Sequence, residues 1–248
     1  LTIWPVAAIA RDHFGKAAGV IAAWLIAFMP AHVTHSTWGL ADHDSFVMLF
    51  IVLGFMFYLR AVKYAGSERL VRTTSIHPLD MLRAMGAVAR ERKYAMSNAV
   101  LAGVAFGAAS LGWKGFVAGP AILFLAYAAQ VALNMFRRRD STILSTLFLT
   151  MLLTNLLIAM PFYAHPQMNL MLNATGLQPF LFILLFTVVI TYITTGFRDK
   201  PWLLVLGTLA VGATVFLGAL YVLKVANLSN AWDVLFTGSG YFTKTKIF

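Results

Sequence analysis

Apolar runs of near-bilayer length recur from one end of this chain to the other, and that recurrence most constrains what it can fold into. A helix needs about 20 mostly apolar residues to cross a bilayer. Leu1–Ala10 is too short and reads as the tail of a span. Complete spans are expected at about Ala17–Pro30, Ser45–Leu59, Tyr94–Ser110, Phe116–Phe136, Ile143–Met160, Pro179–Thr195 and Trp202–Leu223. Composition agrees: 60% of the 248 residues are hydrophobic and 11% are charged, against about 25% charged in a soluble domain. The expected fold is therefore all-α, a polytopic transmembrane helix bundle in the lipid bilayer, with about seven complete spans plus the tail of another.

The segments between spans differ in charge. Arg11–Lys16, Arg60–Lys93, Arg137–Asp140 and Gly196–Lys200 carry most of the 19 Lys and Arg residues. The alternate segments hold only Lys114, Lys224, Lys244 and Lys246. Basic loops stay cytosolic, so the acidic loop 31–44, the Leu111–Gly115 turn, the loop 161–178 and the tail 224–248 are expected on the outer face. The net charge of +10 is then a matter of topology, and no nucleic-acid partner is implied. Segment 60–93 repeats Leu79, Met81, Leu82, Met85 and Val88 at roughly helical spacing. It reads as a solvated cytosolic helix hairpin before it reads as a surface for anionic lipid. The chain has no cysteine, so it offers neither a disulfide framework nor a thiolate metal site.

Chemistry concentrates in Met29–Asp44, MPAHVTHSTWGLADHD. Two of the chain's nine acidic residues, Asp42 and Asp44, stand one residue apart at the mouth of a span. Carboxylates at a membrane edge lose solvation and tend to mark a site. Asp-x-Asp with His43 between is a donor set for a hard cation. A carboxylate here can equally cap the helix expected from Ser45, where the helix N-terminus favours negative charge. Spacing alone leaves both readings open. His32 and His35 are further candidate ligands, although isolated interfacial histidines are more often ordinary hydrogen-bonded residues. Trp113 fits an interfacial anchor and Lys114 a snorkelling cation; Lys114 could also hold a lipid phosphate. Asn173-Ala174-Thr175 and Asn227-Leu228-Ser229 match glycosylation acceptors, a motif short enough to arise by chance.

Phe28–Phe46, FMPAHVTHSTWGLADHDSF, resembles the second acidic motif of the catalytic subunit of oligosaccharyltransferases, through Pro30, Ser36, Gly39, Asp42 and Asp44. Family members often carry Arg before that Ser, where this chain has His35. Phe14, Gly15 and Lys16 resemble the family's preceding Phe-Gly-Lys turn. Leu111–Phe116 resembles its Trp-Gly-Gly-Tyr turn, with Lys114 and Phe116 replacing Gly and Tyr. Gly238–Phe248 resembles the outer loop that runs towards the family's Ser/Thr-Ile/Val-x-Glu motif.

The resemblance implies a C-type membrane glycosyltransferase of archaeal or bacterial type. The absence of Cys and the basic cytosolic loops suit an archaeal or bacterial plasma membrane with Asp42 and Asp44 on the outer face, an endoplasmic reticulum membrane with them in the lumen being the alternative. The donor would be a lipid-linked oligosaccharide and the acceptor a polypeptide Asn in Asn-x-Ser/Thr. By the resemblance Mn²⁺ or Mg²⁺ would be held by Asp42 and Asp44; by position His43 is a further candidate ligand, and His35, Trp113 and Lys114 are candidate substrate contacts. The chain would be an internal fragment, inactive alone, lacking the first acidic motif, a late Glu and a soluble domain. Two alternatives stand beside this reading: a related C-type transferase with another acceptor, and a non-enzymatic transporter. Spans almost free of ionisable residues, with polar features gathered on one face, count against transport.

Overall fold

The computed structural model describes residues 1–30, 43–66, 78–112, 114–137, 139–163 and 177–196, together with Gly207, Ala210, Thr214, Gly218 and Tyr221. Helices α1 (Ile3–Phe14), α2 (Lys16–Phe28), α3 (His43–Ala65), α4 (Pro78–Glu91) and α5 (Lys93–Gly112) come first. A 3₁₀ turn, Lys114–Val117, then leads into α6 (Ala118–Phe136), α7 (Thr142–Tyr163) and α8 (Leu177–Gly196). Among the described residues there is no strand, as the all-α expectation requires.

Among the described residues, four helices are long and apolar enough to cross a membrane: Ser45–Ala65, Lys93–Gly112, Ala118–Phe136 and Thr142–Pro161. Lys16–Phe28 and Phe180–Thr194 are shorter apolar helices. The 13 residues of α2 rise about 20 Å at 1.5 Å each, short of a hydrocarbon core of about 30 Å. Its end is set by Met29, whose extended backbone (φ −65°, ψ 116°) is the conformation that a following proline, here Pro30, imposes. The span expected at Trp202–Leu223 lies largely outside the described residues.

Several helices run further than the sequence suggests. α1 continues through Arg11 and Asp12 to Phe14, and the break is Gly15 alone, at φ +96°, a backbone that glycine adopts readily. α3 continues past Leu59 to Ala65, so Arg60 and Lys63 belong to a helix. The cause is packing: Ala61 and Ala65 are buried with Ala95 and Ala99 of α5 and Leu147 of α7. At the start of α7, Asp140 Oδ1 accepts hydrogen bonds from Thr142 N at 2.9 Å and Thr142 Oγ1 at 2.7 Å, the pattern that initiates helices.

Between apolar helices in lipid, close packing is what associates them, and small residues at the contact allow it. α5 supplies these residues and sits chiefly between α3 and α7. A Cβ on Gly103 would lie 2.5 Å from the Met151 carbonyl oxygen and 2.6 Å from Thr154 Cβ. Phe106 is fully buried, with its ring against Gly54 of α3 and Gly119 of α6: a Cβ on either glycine would come within 2.6 Å of it. Although α5 and α6 are joined by a short turn, α6 packs mainly on α8, α3 and α7. Its Tyr127 stacks on Phe148 at 4.6 Å between ring centroids. The Tyr127 hydroxyl lies 2.9 Å from Ser145 Oγ and 3.1 Å from Thr191 Oγ1, joining α6, α7 and α8.

α4 is the amphipathic helix foreshadowed by the spacing in segment 60–93. Its Ala84 and Val88 are buried where it rests on α7 and α5, so this part of its apolar face is covered by protein. Arg83 stays 80% exposed.

Candidate active site at the Asp44 end of the bundle

The described helix ends fall into two groups at opposite ends of the bundle. At one end, Asp12 of α1 meets Arg60 of α3, with Arg60 Nε donating to Asp12 Oδ2 at 2.7 Å. Gly66, just beyond α3, lies beside Arg92, and Asn134 of α6 donates to Ser141 before α7 at 3.2 Å. Arg11, Lys16, Lys63, Lys93, Arg137 and Arg139 are at this end too, so it collects the basic residues.

The other end holds the start of α3. Gly112, closing α5, approaches its first turns so tightly that a Cβ there would sit 3.0 Å from Val47 Cγ2 and 3.3 Å from Phe46. Phe46 in turn packs on Phe50 at 4.6 Å. Phe116 of the 3₁₀ turn is buried and meets Phe180 at the start of α8, with centroids 6.0 Å apart. The Gly112 contact therefore sets the first turns of α3 against the end of α5, and Phe116 with Phe180 joins the turn after α5 to the start of α8.

His43 and Asp44 are the first two residues of α3. Helix is thus described two residues before Ser45, the expected start. Asp44 falls inside the first turn, where unpaired backbone N–H groups favour a carboxylate. The side chains of His43 and Asp44 lie outside the described residues, as do Asp42, His32, His35 and Trp113 altogether. Lys114 opens the 3₁₀ turn, on the same end as Asp44; its side chain is not among those described. Among the described residues no three His, Asp or Glu side chains come together; the pairing of Asp42 with Asp44 falls outside them.

One pair was not visible in sequence. Asp12 and Arg60 are 48 residues apart, and neither position carries a motif. Partial burial pushes the Asp12 carboxyl upward. The hydrogen bond and charge of Arg60, and after them those of Arg11, outweigh this and hold it below the ordinary value of 3.8, so it is ionised at neutral pH. The sequence signal available was only that a carboxylate is rare in this chain.

The order of these features along the chain is also that of a known family. The model described as "Oligosaccharyl transferase STT3, N-terminal" matches residues 1–244, a range that takes in α1 to α8, the acidic segment and the turn after α5. The chain belongs to the STT3 family of oligosaccharyl transferases. Comparison with curated proteins and with solved structures gives no match. STT3 proteins are oligosaccharyltransferase-type membrane glycosyltransferases, working with lipid-linked oligosaccharide and protein acceptors. Family membership together with four apolar helices of spanning length makes this chain an integral membrane protein. It also sets aside the transporter alternative. In the STT3 chain Asp44 stands at the end of the bundle opposite the Asp12–Arg60 end where most basic residues gather, next to the turn that resembles the family's Trp-Gly-Gly-Tyr.

Proposed function

We propose that this chain is the membrane part of a metal-dependent oligosaccharyltransferase that moves a glycan from a lipid-linked donor to the Asn of an Asn-x-Ser/Thr sequon. The observation that supports this reading most is the position of Asp44. It opens α3 at the end opposite the basic cluster, inside a match to the STT3 family over residues 1–244. On the positive-inside rule the basic end is cytosolic. Asp42 and Asp44 then face outwards, in the plasma membrane of an archaeon or bacterium.

Two carboxylates one residue apart supply oxygen donors of the kind that Mn²⁺ and Mg²⁺ take. Asp42 and Asp44 would hold the ion, with His43 as a further ligand. The bound ion would act as a Lewis acid towards the pyrophosphate of the donor. An amide nitrogen is a poor nucleophile, and carboxylates that accept its N–H hydrogens raise its reactivity. Lys114, at the same end, would attract the donor's phosphates. His35 and Trp113 would contact substrate, His35 at the position where relatives often carry Arg.

The test uses the full-length protein in membranes, with glycosylation of a sequon peptide followed in Mn²⁺. Asp42→Ala and Asp44→Ala should each lower turnover about 100-fold or more, the scale on which removing an electrostatic stabiliser acts. Full activity in both variants would refute the assignment.

A further inference from the structure

The first two helices form a hairpin that is firm in itself and lightly held by the rest. Gly19 of α2 sits against α1 so closely that a Cβ there would lie 2.8 Å from Arg11 Cβ and 3.0 Å from the Ala7 carbonyl. The hairpin meets the bundle through α1 on α3. α2 packs chiefly on α1 and leaves Trp24, Leu25 and Phe28 more than 60% exposed. Apolar contact between α1 and α3 is non-directional. The directional contacts are Asp12 with Arg60 at 2.7 Å and the Lys63 ammonium with the Asp12 carbonyl at 2.5 Å. The Asp12 and Arg60 side chains are only 17% and 20% exposed.

The far end of this hairpin and the start of α3 bound the segment that carries Asp42. Phe28–Pro30 closes α2 and His43–Asp44 opens α3. Whatever sets the hairpin's register on α3 sets the separation of these two anchors. We propose that Asp12 and Arg60 are positioning residues for the acidic site, their ion pair fixing the end of α2 relative to Asp44. The proposal rests on the reading of Asp44 as a cation ligand.

The absence of native cysteine gives a clean background for the test. Met29→Cys and Met48→Cys, both about half exposed (51% and 53%), are spin-labelled in the full-length protein and their separation is read by pulsed EPR. With Asp12 intact a single narrow distribution is expected. Asp12→Asn should broaden or shift it, and Asp12→Glu, which keeps the charge, should restore it. In the same membranes without labels, Asp12→Asn should raise the Mn²⁺ concentration for half-maximal glycosylation about 10-fold, the low end of what losing a residue that orients a metal site costs in affinity. Turnover at saturating Mn²⁺ should change less. Should Asp12→Asn fail to fold, Arg60→Lys carries the same readouts, because it keeps the charge and loses the planar fork. An unchanged distance distribution or an unchanged half-saturating Mn²⁺ in the folded variant overturns the proposal. Full activity of Asp44→Ala would instead defeat the reading beneath it, and the distance measurement would still report on the pair.

Discussion

The hydroxyl of Tyr127 touches two other helices, through Ser145 Oγ at 2.9 Å and Thr191 Oγ1 at 3.1 Å. Thr191 also donates to the Thr187 carbonyl at 2.7 Å, so it keeps a partner when the tyrosine oxygen is removed. Interhelical hydrogen bonds in membranes average about 0.6 kcal/mol. Tyr127→Phe removes two such bonds, so it should lower unfolding free energy by about 1 kcal/mol and leave the ring stack on Phe148 in place, as followed by thermal unfolding in detergent. A loss beyond the measured maximum for two such bonds would mean the hydroxyl does more than join helices. At this scale the sequence singled out Asp42 and Asp44 because carboxylates are scarce in an apolar chain. It was silent on Tyr127 and on Asp12 with Arg60, because those partners come from helices far apart in sequence and meet only after packing.

Helices here approach one another as far as their smallest residues permit. At Gly103 a side chain would strike the Met151 carbonyl and Thr154 Cβ, and a helix backbone cannot yield as a flexible side chain does. Gly103→Val should part α5 from α7 and cost about 1–3 kcal/mol, the usual range for overpacking, visible as a lower melting temperature of the purified protein. A variant that melts like the parent would show that α5 and α7 can separate freely. Helix existence was legible in sequence from the apolar runs, whereas boundaries were less so. Reading a span as ended at its first charge stopped α3 at Leu59, although Ala61 and Ala65 lie buried against α5. Alanine contributes little apolar signal but fits a tight helix contact, and only the neighbouring helix reveals its use. The span expected to end at Met160 likewise runs on, α7 continuing through Pro161 to Tyr163.

For the molecule as a whole, alternation of charge along the chain becomes separation in space. Among the described residues, Asp12 with Arg60 at one end and Gly112 against Val47 at the other divide the helix ends into two groups, and most of the described Lys and Arg stand with the first. Introduced cysteines should report the same division. Lys16→Cys and Lys93→Cys should react with a membrane-impermeant thiol reagent from one side only, and Gly115→Cys from the other. Labelling of all three from a single side would contradict the bundle. Which helix ends gather Lys and Arg was legible because those residues stand between the apolar runs. The sequence could not show how α5 and α6, neighbours in the chain, would divide their packing between different partners. Phe106 is where that division matters most. One ring fills the space left by Gly54 on α3 and Gly119 on α6, so neither helix can slide along α5 without first displacing it. Mechanically, α3, α5 and α6 form a chassis with little compliance. Anything seated on it inherits that stiffness, and the α1–α2 hairpin, which turns at Gly15, is seated there through α1 on α3.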